Sequence, residues 1–127
     1  MSEQDVKKIH SFKDLLVWQE AHKLVIKIYK ITKRYPREEQ FGLVGQMRRA
    51  AVSITSNIAE GFVRKSYKDK VHYYYMSKGS LSELQNQLLI SQDVGYLQQG
   101  VCGDVERDII TVQKIISKFI QKTESFI

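Results

Sequence analysis

Apolar residues in this chain recur at steps of three and four, the spacing that gathers side chains on one side of an α-helix. Four stretches carry the pattern. In the first, from about Lys13 to Tyr35, Leu15, Trp18, Ala21, Val25 and Ile28 form one stripe, and Val17, Leu24 and Ile31 form a second. Two adjacent stripes predict a helix covered on more than one side. Pro36 closes it, because proline disfavours helical geometry in the residue before it. The second stretch runs from about Phe41 to Gly61, with Met47, Ala50, Ala51, Ile54 and Ile58 facing inward and Gly61 expected as a C-terminal cap.

The third stretch starts at Ser66, which with Asp69 resembles a capping box. It continues to about Val94, ahead of Gly95 as a C′ residue, on a stripe of Tyr67, Val71, Tyr74, Leu81, Leu84 and Leu88. Gly79 lies mid-helix, where glycine costs up to ~1 kcal/mol relative to alanine, so close approach of a neighbouring backbone is expected there. The fourth is expected to begin near Gly103 with Asp104 as its N-cap. It repeats Val105, Ile109, Val112, Ile116 and Phe119 as a heptad seam. No strand-like alternation persists beyond a few residues. Short connections between successive helices predict an all-α fold, an up-down-up-down antiparallel four-helix bundle. Residues 1–11 are polar and expected to fray, which leaves 12–127 as a single domain.

A second stripe on the second helix changes the picture. Gln46, Arg49, Ser53, Asn57 and Glu60 also share a face, mixing amide, hydroxyl and opposite charges between small residues. That composition suits a hydrogen-bonded seam between helices or subunits, with Glu83 on the third helix as a partner; the alternative is an ordinary wet face. The run Tyr73-Tyr74-Tyr75 spreads its rings at ~100° per residue, so at least one must be exposed or lie in an interface.

Composition narrows the function classes. With 127 residues and 43% hydrophobic content, the chain has enough apolar material for a core of its own. Its one cysteine, Cys102, excludes an internal disulfide and a cysteine-based zinc site, and fits a reducing cytoplasm. The opening MSEQDVKKIH has no apolar core of a secretory signal, and no apolar run approaches the ~20 residues of a membrane span. No membrane partner is therefore expected. His10, His22 and His72 are scattered, with no metal-ligand spacing. No phosphate-binding glycine loop or glycine-framed serine occurs either. The expectation is a protein without catalytic residues, metal or cofactor, hence not an enzyme.

The formal charge of +6 points toward an acidic partner, nucleic acid first. Lys23, Lys27, Lys30 and Arg34 form one face of the first helix, and Arg107, Lys114, Lys118 and Lys122 one face of the fourth. In a closed bundle these helices are neighbours, so the two rows are expected to merge into a phosphate-binding surface whose affinity falls with salt. Arg64, Lys65, Lys68 and Lys70 add a basic loop cluster. The plainer alternative is that lysine rows are solvated faces opposite a core.

Three motifs resemble a known family: F-K-D-L-L-V-W-Q at Phe12–Gln19, Q-x-R-R-A-x-x-S-I-x-x-N-I-A-E-G at Gln46–Gly61, and G-S-L-x-E-L at Gly79–Leu84, with G-Y-L at Gly95–Leu97 fitting as well. They are similar to the four-helix-bundle proteins encoded within 23S rRNA intervening sequences, over roughly Phe12 to Phe119. They are also similar to the accessory variability determinant of diversity-generating retroelements. Ser77 departs from the pattern, where alanine is expected. The resemblance implies a homopentamer with a basic surface and no enzymatic activity. For the accessory relatives it implies binding to nucleic acid and to a reverse transcriptase. Two functions follow as expectations: a cytoplasmic nucleic-acid-binding oligomer, or a protein-binding scaffold such as a reverse-transcriptase accessory subunit.

Overall fold

The computed structural model describes residues 9–127, so most of the polar segment 1–11 lies outside the described residues. Four α-helices follow in order: α1 (Leu16–Thr32), α2 (Leu43–Phe62), α3 (Tyr67–Asp93) and α4 (Gln99–Glu124). Short 3-10 turns at Phe12–Asp14 and Arg37–Glu39 precede α1 and α2. No strand occurs among the described residues. α1 packs on α2 and α4, and α3 packs on the same two helices, which makes a four-helix bundle with α1 and α3 on its diagonal.

The stripes meet in one core. Val17, Ala21, Leu24, Val25 and Ile28 of α1 are buried with Met47, Ala51, Ile54 and Ile58 of α2, Tyr74, Leu81, Leu84 and Leu88 of α3, and Val105, Ile109, Val112 and Ile116 of α4. Trp18 and Ile31 pack against its edge, and Trp18 stacks on His22 with ring centroids 4.6 Å apart. Cys102 is buried beneath Leu88, and burial pushes its thiol pKa up.

Helix ends follow local chemistry, with three departures from the sequence expectations. Before α1, Ser11 and Asp14 form a reciprocal capping box on the 3-10 turn. Leu15 is extended, so α1 begins only at Leu16. α3 starts as expected, with the Ser66 hydroxyl accepting from Asp69 N–H at 3.1 Å. It ends on Gly95 at φ +87°, where Gly95 N–H bonds Gln92 O and Tyr96 N–H bonds Ser91 O. Those two bonds are the Schellman arrangement, which satisfies the last carbonyls through a left-handed residue.

Gly61 is not a cap. α2 continues through Phe62, and Gly61 is buried because a Cβ there would stand 2.6 Å from Tyr74 Cε1. The close approach expected at Gly79 is found at Gly61 instead; Gly79 is exposed, and a Cβ there would meet nothing within 4 Å. The third departure is α4, which starts at Gln99 and leaves Asp104 inside the helix. Gly100 and Gly103 lie within α4, so neither ends the helical path.

Candidate nucleic-acid interface

The cations separate into engaged and free groups. Lys27 is half-buried on α1, its ammonium 2.5 Å from both Asp104 and Asp108 of α4. These carboxylates raise the Lys27 pKa, Asp104 first and Asp108 next, and Lys27 in turn holds the Asp104 carboxyl below the usual carboxylate range. Lys23 reaches Glu20 at 3.3 Å, and Arg107 reaches Asp104 at 3.7 Å. The rows on α1 and α4 therefore do not fuse along their seam, because two carboxylates stand there and clamp the central lysine. Lys30, Arg34, Lys114, Lys118 and Lys122 are exposed and form no ion pair among the described residues. Lys30 and Arg34 also border a cavity of about 430 Å³ with Tyr96, Gln98 and Val101 at the start of α4.

The loop cluster divides in the same way. Arg64 is 2.5 Å from Glu60, donates to the Tyr73 hydroxyl at 2.6 Å and lies over the Tyr73 ring. Lys70 donates to Phe62 O at 2.6 Å, so its ammonium caps the C-terminal carbonyls of α2 while burial lowers its pKa. Lys65 and Lys68 stay exposed. Of the tyrosine run, Tyr74 is buried, Tyr73 holds Arg64, and Tyr75 is exposed with its hydroxyl donating to Glu124 at 3.2 Å.

The six polar residues expected to form one seam do not form one network within the protomer. Asn57 donates to the Ser53 carbonyl and hydroxyl, and Ser80 of α3 donates to the same hydroxyl at 2.9 Å. Glu60 turns to Arg64, and Glu83 accepts from Gln87 on its own helix. Gln46 and Arg49 are exposed, and Arg49 forms no ion pair with Glu60 or Glu83.

A hydrogen-bonded α2–α3 seam does exist, built by serines that the stripe pattern did not single out. Ser77 Oγ donates to Ile54 O at 2.7 Å, and Ser91 Oγ donates to Gln87 O at 2.8 Å and lies 3.4 Å from Met47 Sδ. A signal for them exists in the sequence: Ser77, Ser80, Leu84, Gln87 and Ser91 share a heptad-spaced stripe on α3. Ser77 is fully buried in place of the expected alanine, and its bond to a main-chain carbonyl removes the cost of an unpaired hydroxyl.

Among the described residues no group of three or more His, Cys, Asp or Glu is placed to hold a metal ion, and no helix is long and apolar enough to cross a membrane. The geometry defines a four-helix-bundle protein with exposed cations on α1 and α4. Residues 13–118 match the family described as 23S rRNA-intervening sequence protein, and the chain belongs to that family. A solved structure from Bacteroides thetaiotaomicron, of a protein with unknown function from the S23 ribosomal protein family, is similar with a TM-score of 0.74 at 18% identity. The match covers 83% of this chain and 98% of that one, and establishes the fold. Among curated proteins none matches the chain.

Proposed function

We propose that the protein is a non-enzymatic, up-down-up-down bundle that assembles with copies of itself, five by resemblance to its family, and binds rRNA or other nucleic acid through α1 and α4. One observation carries the reading: Lys30, Arg34, Lys114, Lys118 and Lys122 are exposed and free of ion pairs among the described residues, on a chain of net charge +6. Free cations release counterions from phosphates, whereas a lysine already clamped by carboxylates does not. Charge reversal at Lys30 and Arg34 weakens binding evenly across sequences, because phosphate contacts carry no base information. It also lowers the slope of log K against log salt by about one for each phosphate no longer neutralised. A mobility-shift titration at two salt concentrations measures both effects. Absence of binding to structured rRNA fragments at low salt sinks the proposal.

A specific observation favours a second reading, a protein-binding scaffold such as an accessory subunit of a reverse transcriptase. Ile26 and Tyr29 of α1 and Val52 of α2 are exposed apolar residues, and Tyr29 and Val52 border one cavity with Arg48 and Arg49. Aromatic residues and arginine are the side chains that protein interfaces enrich. A reverse-transcriptase gene beside this one supports the scaffold; an rRNA operon around it counts against.

A further inference from the structure

The end of the bundle where α2 turns into α3 holds a cavity of about 550 Å³. Its size lies within the roughly 300–1,000 Å³ of ligand sites. Five aromatic residues line it: Phe62, Tyr67, Tyr74, Phe119 and Phe126. Tyr67 and Phe126 are 45% and 56% exposed, and their rings stack with centroids 5.1 Å apart. Tyr74, by contrast, is 1% exposed. Burial alone pushes its hydroxyl pKa up to about 12.

Charge at the rim is positive. Lys122 lines the cavity, Lys65 lies in the adjoining connection and Lys68 in the first turn of α3, and none of the three is in an ion pair among the described residues. Lys70 lines it too, but its ammonium is committed to Phe62 O. Asp14 is the one carboxylate in the lining among the described residues, and its Oδ2 already accepts from the N–H groups of His10 and Ser11.

We infer that this end is a docking site for single-stranded nucleic acid, in which a base enters the cavity against Tyr67 and Phe126 while flanking phosphates meet Lys65, Lys68 and Lys122. The inference rests on the nucleic-acid reading above and adds the strandedness of the ligand. Every base has a flat face to stack on an aromatic ring, so the site accepts any sequence but requires a base free of its duplex. Apolar rings beside lysines also suit an anionic lipid surface. The ring pair decides between them: Tyr67 and Phe126 stack as a flat surface, which a base matches by stacking and an acyl chain does not.

The test uses the full chain and fluorescent oligonucleotides. Tyr67→Ala with Phe126→Ala removes two exposed rings, and a melt confirms that the fold is kept. By anisotropy the double variant binds an oligo-U single strand roughly tenfold more weakly and a duplex of equal length as before. Tyr67→Phe keeps the affinity. Should the double variant melt early, Tyr67→Leu preserves apolar bulk without the ring and gives the same readout. Unchanged single-strand affinity in the variants overturns this site while leaving the cation rows standing. Failure of the unaltered protein to bind either oligonucleotide overturns the nucleic-acid reading itself. Co-sedimentation with phosphatidylglycerol vesicles that the double variant loses, at constant oligonucleotide affinity, reassigns the surface to lipid and overturns the inference.

Discussion

Lys27 lies between Asp104 and Asp108, a lysine of a basic row whose ammonium is spent on holding α1 to α4. Replacing both carboxylates, Asp104→Asn with Asp108→Asn, frees that ammonium and removes two negative charges from the seam. Nucleic-acid binding should tighten and its salt dependence steepen, which a titration at two ionic strengths reads directly. The same clamp has a pH signature. Asp104 has its pKa depressed below 3.8, so its contribution to stability is present above that value and fades as pH falls through the lower folded one. Lys27 has its pKa raised above 10.5, so its contribution is present below that value and is lost as pH rises past the higher folded one. Melting midpoints of the unaltered protein should thus fall relative to Asp104→Asn below pH 3.8, with the difference constant through neutral pH. The glycines give a second contrast at this scale. Gly61→Ala puts a methyl into the Tyr74 ring and should cost about 1–3 kcal/mol, as overpacking does. Gly79→Ala meets nothing in the protomer and should stabilise α3 by up to ~1 kcal/mol in a denaturant titration. Lower stability or a lower mass in Gly79→Ala instead places another copy against that glycine.

Helices were legible where a whole stripe voted, and illegible where one residue decided. The 3.6-residue period located all four helices and the stripe each gives to the one core, since burying each stripe requires a neighbour whatever the loops do. Boundaries depended on single residues with two plausible uses. Asp104 suited an N-cap but lies within α4 as an ion-pair partner, because glycines at 100 and 103 tolerate helical geometry at modest cost. Gly61 suited a C′ position but marks where an aromatic ring crosses the backbone of α2. The candidate interface was half legible for the same kind of reason. Spacing shows which lysines share a face, whereas engagement depends on what the neighbouring helix presents, and Asp104 and Asp108 belong to another stretch of chain. Ser66 and Gly95, at the two ends of α3, are caps on which sequence and structure agree. Ser66→Ala should cost about 1 kcal/mol, seen as a lower midpoint in urea with an unchanged slope.

At the scale of the molecule, the protomer leaves apolar surface that its own core does not use. Tyr29 and Val52 are exposed beside Arg49, and Leu89 and Ile90 of α3 are exposed with Val94 just past its end. Two distinct patches on one copy are what a ring requires, since cyclic assemblies above two subunits join unlike surfaces. Arg49 tests that geometry, because it belongs to the chain's longest family motif yet is exposed and, among the described residues, without an ion pair. If Arg49 only faces water, Arg49→Ala changes stability by no more than about 0.5 kcal/mol and leaves the mass unchanged. If it is buried against a carboxylate of a neighbouring copy, its removal leaves that charge unpaired at a cost of ~3–5 kcal/mol. That cost would be read as dissociation toward the 14.8 kDa chain on dilution, while the melt of the separated protomer stays put. Light scattering over a dilution series separates the outcomes, and we expect dissociation. A monomer mass for the unaltered protein at micromolar concentration would refute the assembly, and the exposed face would then belong to a different partner.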